Sequence, residues 1–395
     1  MPDNVKIIEC PRDAMQGIKT FIPTEQKVKY IQSLLGCGFD TIDVGSFVSP
    51  KAIPQMADTS AMLSLLDLSK TKSKLLAIVA NIRGAEDAAL EDRIDYLGYP
   101  FSISENFQMR NTHKTIAESV ETFKAILEVS DNANKKVVTY ISMGFGNPYG
   151  DPWNVEIVGE WTEKLAEMGV KIVSLSDTVG SSTPEEIDYL FSNLIPKYPN
   201  IEFGAHLHTI PSKWHEKIDA AYKAGCRRFD GAVQGFGGCP MAKDELTGNM
   251  PTEKMLSYFT SENVNTNVNW MVFEAAYNKA TELFSTYGIT NKNGKFSFNV
   301  AVEEGQNEIF FNIGYIGYKP INKIIKVPDN ASDLNLGAII LDEMVEELQV
   351  VTVISRAPPI LIKKDTIEYN ADSFKTLPND KAEDLLKKLP GVEID

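Results

Sequence analysis

Residues 136–176 read KVVTYISMGFGNPYGDPWNVEIVGEWTEKLAEMGVKIVSLS and contain one complete strand–helix–strand unit. The runs Lys136–Met143 and Lys171–Ser176 are short, apolar and rich in β-branched residues, which is typical of buried strands. Trp153–Met168, between them, has the pattern of a helix. A strand, a helix and a second strand in this order predict a parallel βαβ unit.

The same alternation extends from the start of the chain to about Gly288. The other strand candidates are Val5–Cys10, Thr41–Gly45, Lys74–Ala80, Arg93–Leu97, Ile201–His208 and Arg227–Val233. The other helical patterns are Thr24–Leu35, Thr115–Val129, Thr183–Leu194 and Lys213–Ala224. Eight strands alternating with helices predict a closed (β/α)8 TIM barrel, with functional residues at the carboxyl ends of the strands. An open, doubly wound sheet is less favoured, because no G-x-G-x-x-G follows the first strand.

The chain has 395 residues, whereas one such barrel needs about 250. Beyond Gly288 the pattern changes to period-2 alternation and turns. Strand candidates follow at Lys295–Val300, Glu308–Ile313, Ile321–Val327, Leu336–Leu341 and Leu348–Ile354, and a helix at Asp380–Lys388. We therefore expect a barrel over residues 1–288, a small, incomplete, sandwich-like β unit over 289–355, and a tail with a short helix over 356–395.

Composition excludes several classes of function. With 39 Lys and Arg against 54 Asp and Glu, the net charge is -15, which disfavours nucleic acid as a partner. No run of 18 apolar residues indicates a transmembrane helix, and the start of the chain lacks the pattern of a signal peptide. The four cysteines are far apart and form no CxxC pair, which fits a reducing compartment. We expect a cytoplasmic protein with no membrane partner.

His206 and His208 are the strongest local signal for chemistry. Residues i and i+2 of a strand point to the same face, so both imidazoles would enter one space at the end of the seventh strand candidate. Two such groups suit a divalent metal ion. The bare pattern is equally compatible with two polar residues at a strand end.

Other polar residues follow the strand candidates. Arg12 and Asp13 could hold a substrate carbonyl and a metal, or form a surface ion pair. Cys239 lies in a glycine-rich loop and could donate a proton or act as a nucleophile, or be a buried packing residue. Asn249 could offer an amide oxygen to a metal or form a turn. Two acids, Asp43 and Asp177, could orient a histidine, carry protons or cap a helix.

Residues 5–287 resemble the 3-hydroxy-3-methylglutaryl-CoA lyases, which belong to a superfamily of metal-dependent TIM-barrel lyases and Claisen-condensing enzymes. The matching motifs are Pro11-Arg12-Asp13 with Gln16, Gly45-Ser46-Phe47-Val48-Ser49-Pro50-Lys51, Ser174-Leu175-Ser176-Asp177-Thr178, His206-x-His208, and Gly237-Gly238-Cys239-Pro240 with Gly248-Asn249. The resemblance implies an acyl-CoA thioester substrate, Mg²⁺ or Mn²⁺ as cofactor, and a homo-oligomer, specifically a dimer.

The resemblance also implies a role for each matching residue. The metal ligands would be Asp13, His206, His208 and Asn249. Arg12 would stabilise the thioester enolate, Asp13 or His206 would accept the hydroxyl proton, and Cys239 would protonate the enolate. Asp43 and Asp177 would be supporting catalytic acids. The substrate-binding residues would be Gln16, Ser46, Ser174, Gly237 and Gly238.

The tail resembles a different kind of protein. Asn293–Phe298 and Ile313–Tyr318 are similar to the carboxypeptidase-regulatory-like β-sandwich, and Asp365–Asn370 and Asp384–Val392 to the start of a TonB-dependent receptor plug. The sequence therefore gives three alternative hypotheses for the function: a hydroxymethylglutaryl-CoA lyase, a related acyl-CoA Claisen-condensing synthase, and a cell-envelope binding module with the barrel as a passenger.

We expect a chain truncated after about residue 288 to keep its lyase activity, since every candidate site residue precedes that point. The measurement is kcat/KM of the truncated and full-length proteins. A truncated protein that is folded, by its circular dichroism, but inactive would show that the tail takes part in the function.

Overall fold

The computed structural model describes residues 4–238, 247–287, 308–313, 321–326, 336, 339, 360–362 and 367–369. The chain divides into two compact units, Met1–Val300 and Ala301–Asp395. No helix within the described ranges is both long and apolar enough to cross a membrane.

Eight parallel strands close into a barrel in the first unit, as predicted. They are β1 (Lys6–Glu9), β2 (Thr41–Ser46), β3 (Lys74–Ile78), β4 (Tyr96–Ser102), β5 (Lys136–Ser142), β6 (Ile172–Asp177), β7 (Glu202–Thr209) and β8 (Arg228–Gly231). Neighbours in sequence pair from β1 to β8, and β8 pairs with β1 to close the sheet. A two-residue strand, β9 (Gly248–Asn249), adds to the end of β7 in the antiparallel direction.

Helices connect and surround the strands. They are α1 (Pro11–Gln16), α2 (Thr24–Leu35), α3 (Thr59–Leu65), α4 (Ile82–Ala89), α5 (Glu105–Thr112), α6 (Ile116–Asn132), α7 (Val155–Glu167), α8 (Pro184–Lys197), α9 (Trp214–Lys223), α10 (Thr252–Ser261) and α11 (Trp270–Thr286). The five predicted helices are all present, and α2 has the predicted bounds. Thr115 and Thr183 begin α6 and α8 with capping boxes, in which side chain and backbone satisfy each other's hydrogen bonds.

The fourth strand differs from its prediction. We expected it at Arg93–Leu97, but β4 spans Tyr96–Ser102 and contains Pro100. The pairing with β3 ends at Gly98, so the proline lies beyond the last contact with that neighbour. Proline is tolerated in a sheet where no partner needs its missing N–H group, and the sequence alone does not reveal such a place.

The barrel interior contains a small apolar cluster of Leu76, Ile78, Val138, Tyr140 and Ile172, separate from the larger core between strands and helices. In β2 the register with β3 shifts between Asp43 and Gly45, which marks a β-bulge.

Two antiparallel hairpins are described in the second unit. β10 (Glu308–Ile313) pairs with β11 (Ile321–Lys326), and β12 (Ile360–Ile362) pairs with β13 (Ile367–Tyr369). β10 and β11 agree with the predicted strands. The predicted elements at Lys295–Val300, Leu348–Ile354 and Asp380–Lys388 lie outside the described residues, as does most of Leu336–Leu341.

We predict that Gly98→Ala destabilises the barrel by about 1–3 kcal/mol, the usual cost of overpacking a core. A β-carbon at Gly98 would lie 2.6 Å from Ile78 Cδ1 and 2.9 Å from Leu76 Cδ2. The measurement is urea unfolding. Gly159→Ala in α7 is the matched control, since its β-carbon would have its nearest neighbour at 3.6 Å. Equal stability of the two variants would contradict the tight packing at Gly98.

Candidate active site and metal centre

Three predicted metal ligands meet at the carboxyl end of the barrel. Asp13 in α1 and the two histidines of β7, His206 and His208, have ligand atoms within 4.8 Å of one another. Asp13 Oδ2 and His208 Nε2 are buried and have no hydrogen-bond partner among the described residues. Buried polar atoms normally have partners. A carboxylate oxygen and an imidazole nitrogen left free beside each other therefore fit a divalent cation.

Asn249 is brought to this group by backbone pairing. β9 places Asn249 opposite His208 across an antiparallel pair. The side-chain amide donates from Nδ2 to the carbonyl of Phe236 at 2.8 Å, and the nearby amide helps to lower the pKa of Asp13. The amide nitrogen is thus occupied, and the oxygen is the atom that Asn249 can offer to a cation.

Arg12 is held beside the three ligands by a network of charged hydrogen bonds. Its Nε donates to Asp43 at 3.0 and 3.2 Å, and its Nη1 donates to Gln16 Oε1 at 2.9 Å and to Asp13 Oδ1 at 3.1 Å. Gln16 in turn donates to Asp13. Burial raises the pKa of Asp43 to about 6, although the guanidinium opposes that shift. The hydrogen bonds to Asp43, Asp13 and Gln16 fix the orientation of the positively charged Arg12 guanidinium.

The two histidines are oriented by different partners. His206 Nδ1 lies 3.0 Å from Asp230 Oδ2 and donates to it, so Nε2 is the ring nitrogen that can bind a cation. His208 Nδ1 donates to the main-chain carbonyl of Asp177 at 2.9 Å. A carbonyl can only accept, so this bond fixes the tautomer of His208 with a free Nε2.

These partners move the two pKa values in opposite directions. Burial lowers the pKa of His206, but the hydrogen bond and charge of Asp230 outweigh it, so the net shift is upward. Burial and the neighbouring His206 lower the pKa of His208. Burial alone would raise the pKa of Asp13, but Arg12 and the histidines lower it, so this carboxyl is an anion suited to a cation.

The Asp177 carboxylate does not join the cluster. It forms a buried ion pair with Lys217 of α9, with Nζ and Oδ2 2.7 Å apart, and it accepts a hydrogen bond from Ser182. Lys217 also donates to the carbonyl of His208 at 2.9 Å. We expected a supporting catalytic acid here, whereas the main-chain carbonyl of Asp177 is what contacts a site residue.

The predicted substrate-binding residues divide into two groups. Gln16 and Gly237 belong to the cluster, because a β-carbon at Gly237 would lie 2.5 Å from the Asp13 carbonyl oxygen and 2.8 Å from Asn249 Nδ2. Gly238, with a φ of 124°, packs next to Gly248. Cys239 lies outside the described residues, so its role stays a prediction.

Two predicted substrate-binding serines do not reach the cluster. Ser46 donates its hydroxyl to the carbonyl of Ile78 at 3.3 Å and accepts from the Val48 N–H. Ser174 pairs with Gly204, two residues before His206 on β7, and is fully buried near Arg228. Their role in binding the substrate therefore stays a prediction.

Asp230 and Lys217 were not among the predicted site residues. Asp230 sits in the short strand β8, where it follows the apolar Phe229 and precedes Gly231. An acidic residue within an apolar strand pattern can indicate a site residue, and the same pattern identified Asp43. Lys217 gave no such signal, because its helical position is an ordinary one for lysine.

Comparisons with known proteins identify the family of the chain. Residues 4–278 match the HMGL-like protein family. The chain is 32% identical to the hydroxymethylglutaryl-CoA lyase YngG of Bacillus subtilis, over 68% of this chain and 89% of that protein. It is also 32% identical to a 3-hydroxy-3-isohexenylglutaryl-CoA/hydroxymethylglutaryl-CoA lyase of Pseudomonas aeruginosa, over 68% and 89%.

A similar solved structure contains bound ligands. An HMG-CoA lyase of Acinetobacter baumannii in complex with coenzyme A and 3-methylmalate superposes with a TM-score of 0.66 and 27% identity, over 71% of this chain and 91% of that one. The family match ends at residue 278. The resemblance of the tail to an envelope module has no support from these matches and stays a prediction.

We predict that Asp230→Asn lowers the pKa of His206 and weakens Mn²⁺ binding about 10–100-fold, as loss of such an orienting carboxylate does elsewhere. The substitution keeps a hydrogen-bond acceptor but removes the charge that raises this pKa. NMR titration of the metal-free protein measures the pKa of His206. The exposed His113 and His215 are internal controls, and an unchanged His206 titration would contradict the assignment.

Proposed function

The chain belongs to the HMGL-like family of carbon–carbon lyases, and from this premise we propose that it cleaves 3-hydroxy-3-methylglutaryl-CoA to acetyl-CoA and acetoacetate. The observation that carries the proposal is the buried group of Asp13, His206 and His208, with free ligand atoms, beside the fixed guanidinium of Arg12. The two similar lyases named above support an acyl-CoA thioester as the substrate.

Asp13, His206, His208 and Asn249 would hold a divalent cation, for which we propose Mg²⁺ or Mn²⁺. When bound, such an ion supplies a Lewis acid and a template for the substrate's hydroxyl and carbonyl oxygens. The lowered pKa of Asp13 and the free Nε2 of His208 suit the two residues to that task.

The reaction begins with loss of the proton from the tertiary hydroxyl group. Asp13 and His206 both lie at the centre, and either side chain is a candidate for the base. If His206 accepts the proton at Nε2, Asp230 stabilises the imidazolium, and Asp13, His208 and Asn249 would hold the cation in that step. The oxygen's electron pair then forms the new ketone C=O bond as the C2–C3 bond breaks. Acetoacetate departs, and the bonding electrons move onto the thioester as an enolate.

Arg12 would donate hydrogen bonds to the enolate oxygen, where the negative charge develops. Its contacts with Asp43 and Gln16 fix the guanidinium before the substrate binds, so little reorganisation is needed in the reaction. A proton then adds to C2 and gives acetyl-CoA. We propose Cys239 as its donor, on the resemblance of the Gly237-Gly238-Cys239-Pro240 motif.

The test is to incubate the purified protein with hydroxymethylglutaryl-CoA and Mg²⁺ or Mn²⁺ and to measure acetoacetate and acetyl-CoA. We expect equal amounts of both, loss of activity with EDTA, and recovery when the metal is returned. Acetoacetate formed at the same rate in EDTA would refute the metal-dependent mechanism. Activity only in the condensing direction, with acetyl-CoA and an oxo acid, would instead identify a synthase.

We expect Arg12→Lys to lower kcat about 10²–10³-fold, as loss of a charge-stabilising donor does in other enzymes. Lysine keeps the charge but cannot reproduce the forked contacts with Asp43, Gln16 and Asp13. The matched control is Arg83→Lys, whose side chain is 90% exposed in α4. Wild-type kcat in Arg12→Lys would remove Arg12 from the mechanism.

A further inference from the structure

Glu9 is a buried carboxyl group that the proposed mechanism does not use. It is the last residue of β1, pairs with Gly231 of β8 and is fully buried. Acidic side chains are seldom buried this completely unless they have specific partners. The partners of Glu9 therefore indicate what it is for.

Both carboxylate oxygens of Glu9 accept hydrogen bonds, and the donors come from two different segments. The Val233 N–H donates to Oε1 at 2.9 Å, directly after β8, and the Thr252 hydroxyl donates to Oε2 at 2.6 Å, at the start of α10. Backbone bonds run alongside: the Ala232 N–H donates to the Met250 carbonyl at 3.0 Å, and the Thr252 N–H to the Ala232 carbonyl at 3.1 Å. We call these contacts of Glu9 with Val233 and Thr252 the Glu9 clasp.

The segments joined by the Glu9 clasp lead directly to the metal centre. Val233 begins a 3-10 turn in which Gln234 has a φ of 58°, an unfavourable conformation for a residue with a side chain. The Gln234 N–H is held by Glu253 at 2.9 Å. The turn places the Phe236 carbonyl to accept from Asn249, and Gly237 lies against both Asp13 and Asn249.

We propose that Glu9 is a positioning residue, which joins the end of β8 to the start of α10 and thereby holds Asn249 against Asp13 and His208. The inference rests on the proposed function only in that it takes Asn249 to be a metal ligand. Neither the HMGL-like motifs nor the site residues described above include Glu9.

The groups around Glu9 determine its charge. Burial raises its pKa to about 8, the bonds from Thr252 and Val233 oppose that shift, and the nearby Glu253 adds to it. Other titratable groups close enough to interact with the charge of Glu9 are Tyr30 of α2, Cys37 and Cys10. Near pH 7 Glu9 is therefore a neutral acid, whose oxygens still accept hydrogen bonds, and above pH 8 its negative charge strengthens both bonds.

The test compares Mn²⁺ binding to metal-free full-length variants at pH 7, measured from the electron paramagnetic resonance signal of free Mn²⁺. We expect Glu9→Val and Thr252→Val to weaken binding about tenfold or more, as loss of outer-shell support does. Glu9→Gln and Thr252→Ser keep a hydrogen-bonding group and should stay within about twofold of the wild type. Glu118→Gln, in the distant capping box of α6, is the control.

A pH series distinguishes positioning from simple packing. Glutamine imitates the protonated acid, so wild type and Glu9→Gln should bind Mn²⁺ alike at pH 7 and diverge above pH 8, where the wild type gains affinity. The raised pKa also means that the wild type loses stability as the pH rises from about 4.5 to about 8. Glu9→Gln should remove this loss from the pH dependence of Tm.

Three results would overturn the inference. Wild-type Mn²⁺ affinity in a folded Glu9→Val variant would show that the clasp does not support Asn249. If that variant fails to fold, equal affinity of Thr252→Val and Thr252→Ser would show the same. Absence of Mn²⁺ binding in the wild type would refute the metal centre itself, and with it the role of Glu9, whereas Mn²⁺ binding without lyase activity would refute only the proposed substrate.

Discussion

The ion pair between Arg12 and Asp43 is the interaction on which the rest of the site depends. Asp13, Asp43 and Asp230 are buried at the same end of the barrel, and three carboxylates so placed would repel one another and resist ionisation. Arg12 contacts two of them and connects α1 to β2. The guanidinium thus lets the acids stay buried, and it also fixes its own position for a substrate.

The remaining charges are balanced by different means. His206 obtains its orientation from a carboxylate, so it can hold a proton, whereas His208 obtains its orientation from a main-chain carbonyl and stays neutral. Two identical side chains, two residues apart on one strand, therefore have different properties. The difference arises from the neighbouring strands β8 and β6, which supply Asp230 and the Asp177 carbonyl.

The barrel strands could be predicted from their apolar, β-branched runs, and the ligand pair from the two-residue period of a strand. Apolar β-branched runs placed seven of the eight barrel strands within two residues at each end, and the spacing of His206 and His208 put both on one face. Side chains alternate along β6, so the Asp177 side chain points away from the barrel interior because the preceding Ser176 points inward. Asp230 carries the same sequence signal as Asp43, but its role follows from its contact with His206, which the sequence does not show. Pro100 misled because its tolerance depends on where β3 ends.

The bulge in β2 adds one residue between Asp43 and the end of the strand. After a bulge, inward and outward positions exchange, and the position of Gly45 faces Thr59 of α3, which leaves no room for a side chain there. Asp43 precedes the bulge, so its position beside Arg12 does not depend on the extra residue, whereas the close contact of Gly45 with Thr59 does. One short strand thus has two separate tasks: the part before the bulge carries a charged group of the site, and the part after it receives a helix of the outer layer.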